Sequence, residues 1–157
     1  VAAPLMSSAY AAGRKNELQH LCQIMAAVIA VTTLIGLALL ALNGDRLLAV
    51  FNPAFVQASP ILLILGIGYS IDALAGPTAY LMQMTSLEGA YLRIMAIVYA
   101  FVLALQFTFV PRYGVVAAAL ASMCGVCLWN ILAIALLRRK IGVDSSILSF
   151  FAPPRAG

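Results

Sequence analysis

Four stretches of this chain are almost free of charge, and each is close to the length a helix needs to cross a lipid bilayer. They cover residues 24–42, 61–81, 94–110 and 115–137. At about 1.5 Å per residue, roughly 20 residues span about 30 Å of hydrocarbon. With their flanks the runs reach that length, which gives expected spans at 21–42, 60–84, 91–110 and 115–137. Inside hydrocarbon, backbone amides and carbonyls find no water, so each spanning segment must satisfy its own. The runs are solid rather than alternating, which excludes strands and leaves helices. Four buried helices of a soluble protein would carry polar faces, and these have almost none. A signal peptide would explain the first run alone, but it is long for an h-region and three more follow. The expected fold is all-α, a polytopic membrane helix bundle of about four transmembrane helices.

Composition agrees. Only 9% of residues are charged and 64% are hydrophobic, with a mean hydropathy of +1.06. Soluble domains carry roughly 25% charged residues. The net charge of +4 does not point to nucleic acid. The basic residues sit in short loops, with no basic stripe interleaved with aromatics. They read as a topology signal. Four spans sort the loops into two sets. The amino-terminal stretch, the 82–93 loop and the carboxy-terminal tail carry Arg14, Lys15, Arg93, Arg138, Arg139, Lys140 and Arg155. The 43–59 and 111–114 loops carry Arg46 and Arg112. Seven against two places both termini in the cytoplasm, with the chain in the cell's inner membrane. The chain starts at Val1 rather than Met and reads as a piece of a longer protein.

Local signals divide the chain further. Asn43-Gly44-Asp45 reads as a turn after the first span. Residues 47–51 form an apolar patch, expected as an interfacial turn of helix. Ser59-Pro60 reads as an N-cap with a first-turn proline. The third run ends at Pro111 and the fourth at Arg138-Arg139-Lys140. The cytoplasmic tail is 138–157, and its part 141–157 is expected to rest on headgroups or to lack order.

Asp72 is the most informative residue, because it lies within the second run. A charge at mid-bilayer costs about 2.5–3.5 kcal/mol on insertion scales. Asp72 therefore faces a polar cavity, meets a partner or carries a proton. It serves either as a proton, cation or substrate contact or as a structural hydrogen bond between helices. Gly76-Pro77 follows four residues on and predicts a kink or break. Broken helices mark binding sites in many secondary transporters, although proline kinks occur without sites too. Gln83, Gln106 and Asn130 are the remaining amides at or near membrane depth. Each either lines a hydrated path or bonds a neighbouring helix. Ala117, Ala121 and Gly125 recur every four residues, a spacing that lets two helix backbones approach closely.

Cys124 and Cys127 form a C-x-x-C, but no second pair follows, and His20 is the only histidine. Small residues packing between helices explain these cysteines better than metal or redox chemistry. The sequence holds no H-E-x-x-H, no P-loop and no G-x-S-x-G. No catalytic residue, metal or cofactor is expected.

The stretch 3–18 contains Ala11-Ala12-Gly13-Arg14-Lys15-Asn16-Glu17-Leu18. The stretch 55–88 contains Ala58-Ser59-Pro60-Ile61-Leu62, Ala75-Gly76-Pro77-Thr78-Ala79-Tyr80-Leu81 and Met84-Thr85-Ser86-Leu87-Glu88. Val110-Pro111-Arg112-Tyr113-Gly114 precedes a small-residue helix. This order resembles the polysaccharide flippases of the multidrug/oligosaccharidyl-lipid/polysaccharide exporter superfamily, over residues 3–140. One departure is Ser86, where the family usually has glycine. The resemblance implies the carboxy-terminal portion of such a protein, part of one lobe of a two-lobed transporter working by alternating access. Its implied substrate is a lipid-linked oligosaccharide, and its implied partners are membrane lipid and an amino-terminal lobe. Two other readings stand beside it. One is a cation-coupled multidrug antiporter of the same superfamily, and the other is a non-transporting membrane scaffold.

Overall fold

Helix is the only regular structure among the described residues of the computed structural model. These are residues 2–143, 145 and 146, with the backbone alone for 2–5. The order is α1 (Ala2–Ala11), α2 (Lys15–Phe51), a 3-10 segment (Pro53–Ala58), α3 (Ser59–Ala75), α4 (Thr78–Met84), α5 (Glu88–Tyr113) and α6 (Val115–Lys140). Four stretches are long and apolar enough to cross a membrane: α2, the 3-10 segment with α3, α5 and α6. The chain is a multi-pass membrane protein built as an all-α bundle.

The helices differ from the sequence expectation at their ends. Helix α2 has 37 residues, about 55 Å, and runs straight through Asn43-Gly44-Asp45. None of these three is a proline, so every backbone donor is present. Asn43 returns its side-chain amide to the Leu39 carbonyl within the helix. The break falls instead at Asn52-Pro53. Asn52 is extended, as a residue before proline prefers, and its side chain accepts from the Ala54 amide at 2.9 Å. The patch at 47–51 is thus the end of α2. Its length exceeds the hydrocarbon thickness, which requires tilt or a protruding end.

Helix α5 likewise passes Pro111 and stops at Gly114, whose φ of +67° ends it. The proline forfeits one bond, to the Phe107 carbonyl, within the last turn. Helix α6 continues to Lys140, so the three basic residues are its last turn rather than a tail. The amino-terminal stretch, which the sequence leaves without an element, forms helix α1. The break at Gly76-Pro77 lies where the sequence places it.

Packing is unequal along the bundle. A tight core collects Met6, Ala9, Leu18, Cys22, Leu81, Met82, Ala133, Leu137, Ile141 and Val143. Those residues come from α1, the start of α2, α4, the end of α6 and the residues just after it. Leu18, Cys22, Ala26 and Ala30 recur every four residues and put one stripe of α2 inward. The core therefore sits at the end of the bundle that holds Arg14, Lys15, Arg93 and Arg138–Lys140. Toward the other end large apolar side chains stay exposed, including Leu42, Val50, Phe51 and Phe107.

Helix α6 is the axis of the bundle and packs on α3, α4 and α5. It buries Ala117, Ala119, Ala121, Gly125, Asn130, Ala133 and Leu137, whereas α5 buries Val98 alone. The small-residue stripe at 117, 121 and 125 is the surface along which α6 meets its neighbours. A Cβ at Gly125 would collide with Val102 Cγ2 on α5. Only glycine lets the two helices come this close.

Candidate functional site at a broken helix

Helix α3 ends one turn after Asp72, because Gly76 adopts φ +75° and ψ −159°. L-residues rarely enter that region. Pro77 then supplies no donor to continue the helix, and α4 restarts at Thr78. Thr78 bridges the break by donating its hydroxyl to the Ala75 carbonyl at 3.0 Å. The break places Asp72 in the last turn of α3 rather than at the middle of a continuous span. A helix C-terminus carries partial negative charge, so the backbone there offers a carboxylate no stabilisation.

Asp72 is met from α6. Asn130 Nδ2 donates to Asp72 Oδ1 at 2.8 Å and also to the Val126 carbonyl at 3.0 Å. Asn130 is 5% exposed, and its Oδ1 has no hydrogen-bond partner. Buried acceptors are nearly always satisfied, so this orphan oxygen stands out. Asn130 lies about 6 Å past the midpoint of the apolar part of α6, toward the Arg138–Lys140 end. The pair is therefore at hydrocarbon depth.

No cation faces it. On α2, Gly66 and Gly76 lie against Leu37 and Ala26, and residues 26–37 between these contacts contain no titratable group. On α6, Gly68 lies against Met123, and from there to Asn130 the titratable residues are the thiols Cys124 and Cys127. The 3-10 segment carries none. Among the described residues Asp72 thus has an amide donor and no countercharge. Chemically, the pair offers an acid oxygen and a free carbonyl oxygen to a proton, a small cation or a ligand donor.

The other candidates lie apart from this pair. Gln83 is exposed on α4 and Gln106 half-buried on α5. Among the described residues no hydrogen bond joins either to Asp72 or Asn130. Pro77 is buried, and Gly76 lies against α2 and the segment after α6. A crevice of about 30 Å³ between α3 and α6, lined by Leu65, Gly68, Tyr69, Ser122, Met123 and Val126, lies one turn from the pair. It has room for about one water and mostly apolar walls. Cys22, Cys124 and Cys127 are free thiols, and no three His, Cys, Asp or Glu gather among the described residues.

Sequence reasoning did not find the contact between Thr78 and Ser145, whose hydroxyls lie 3.0 Å apart and buried. Nor did it give a conformation to Ser86, which sits between α4 and α5 at φ +56°. Glycine occupies that left-handed region without strain. No family model, curated protein or solved structure matches this chain.

Proposed function

We propose that this chain is part of one lobe of a membrane transporter that flips lipid-linked oligosaccharide or polysaccharide precursors by alternating access. The observation that carries the reading is the broken helix with its acid–amide pair. A span interrupted at Gly76-Pro77 holds Asp72 one turn before the break, against Asn130 on another helix. Intramembrane acids are rare, and broken helices with polar partners recur where transporters bind their cargo or coupling ions. The sequence resemblance across 3–140 supports the same reading. Ser86, the departure from the family's usual glycine, sits in a left-handed backbone that glycine adopts without strain.

In this reading the basic end of the bundle faces the cytoplasm and the membrane is the inner one. The remaining partner is an amino-terminal lobe of the same protein, because half a cavity does not alternate. The free oxygen of Asn130 beside Asp72 favours a second reading, a cation-coupled antiporter of the same superfamily. The test uses the full-length protein in proteoliposomes with a lipid-linked oligosaccharide. Outward movement of the saccharide is expected, and Asp72→Asn is expected to reduce it at equal expression. Saccharide that stays in its leaflet while a drug is exported on a sodium or proton gradient selects the antiporter. Transport unaffected by Asp72→Asn removes the pair from the mechanism.

A further inference from the structure

Residues 141–143, 145 and 146, which follow α6, stay packed on the bundle. Gly142, at φ +75°, turns the chain back on itself. Ile141, Val143, Ser145 and Ser146 are then all buried, Val143 and Ser145 almost completely. They occupy the notch opened by the break between α3 and α4. The Ser145 carbonyl is so close to Gly76 that a Cβ there would collide with it, with Ala26 of α2 closing the other side at 3.1 Å. The Ser145 and Thr78 hydroxyls are hydrogen-bonded at 3.0 Å. Ile141 and Val143 join the core that holds Leu81 and Met82 of α4.

Helix α4 has seven residues, too few to be stable alone in water. It is attached to α3 through a residue with glycine's freedom and a proline with no donor. What fixes its position is packing, and part of that packing comes from the segment after α6. We propose that this segment is a latch on the α3–α4 break. Seated, it holds α4 against the bundle; released, it lets α4 swing about Gly76-Pro77. The latch acts at the basic end of the molecule, and the proposal does not depend on what, if anything, is transported. Within a transporter it would couple the carboxy-terminal segment to the one discontinuous span.

Hydrogen exchange of the full chain in detergent micelles or nanodiscs, read by mass spectrometry, tests this. Ser145→Ala removes the Thr78 partner and leaves the fold intact. It is expected to speed exchange over 78–84 by ~5-fold, within the range of one net hydrogen bond, with α5 and the first half of α6 unchanged. Val143→Asp places an unpaired charge in the seat and is expected to exceed ~10-fold over the same residues. Val143→Ile is the conservative control and is expected to restore slow exchange. Unchanged exchange over 78–84 in both Ser145→Ala and Val143→Asp overturns the latch. So does a rise spread equally over α3, α5 and α6, which reports general loosening. If Val143→Asp fails to fold, Ser145→Ala decides alone.

Discussion

The two ends of this bundle solve different problems with the same kinds of residue. At the basic end, short α1 and α4 close over the start of α2 and the end of α6, and Met6, Leu18, Leu81, Met82 and Leu137 are fully buried. Toward the opposite end, Leu42, Val50, Phe51 and Phe107 project outward. A soluble protein could not leave so much large apolar surface in water. The difference teaches which solvent each part meets. Short helices near the aqueous boundary need a hydrophobic core, because water drives their burial. Long helices in lipid gain nothing by hiding leucine from hydrocarbon, so their association rests on close backbone approach and polar contacts.

That contrast yields an ordered set of substitutions. The largest effect is expected from truncating the basic-end core. Leu137→Ala should cost about 2–5 kcal/mol in reversible detergent unfolding, while Phe107→Ala, which only removes a lipid contact, should leave stability nearly unchanged. Equal losses at the two sites would break the comparison. Next comes close approach in the lipid-facing part. Gly125→Ala forces Val102, a stiff β-branched side chain, to give way and should cost about 1–3 kcal/mol. Gly36→Ala meets nothing within 4 Å and should be neutral or stabilise by up to about 1 kcal/mol through helix propensity.

The polar contact is smaller. A double-mutant cycle with Asp72→Ala and Asn130→Leu, each of which removes one partner, should give a coupling of about 0.6–1.7 kcal/mol, as measured for hydrogen bonds between membrane helices. A coupling near zero would show that the pair is not formed in lipid. The smallest effect is at the turn between α4 and α5. Ser86→Gly relieves a left-handed backbone and should stabilise by about 1 kcal/mol or less, offset in part by the added freedom of the unfolded chain.

The four spans were legible because lipid makes them depend on composition alone, and long charge-free runs have few other homes. The break at Gly76-Pro77 was legible for a similar reason, since proline acts locally. Ends were less so. Asn43-Gly44-Asp45 has turn chemistry, yet α2 absorbs it and stops where Pro53 removes a donor. Helix α1 forms over a stretch that the sequence leaves without an element, and it packs on α2 and the distant α4.

The site divides in the same way. Asp72 was legible as an expensive residue in hydrocarbon, and Asn130 as one amide among several. Their contact joins residues 58 apart, and no local pattern encodes it. Gln83 carried the same chemical signal and sits exposed on α4. The seat of Ser145 against Gly76 and Thr78 was hidden for the same reason. The expected tail continues the helix to Lys140 and then packs, while residues 147–157 lie outside the described part of the chain.

All of this presumes hydrocarbon around the long helices. Spin labels attached through Leu103→Cys on α5 and Ile131→Cys on α6, both exposed positions, measure it directly in reconstituted vesicles. The expected result is high collision with oxygen and low collision with a water-soluble nickel chelate. Free access of the chelate to both labels in the folded protein would mean that water surrounds these helices, and would contradict the bundle's placement in a membrane.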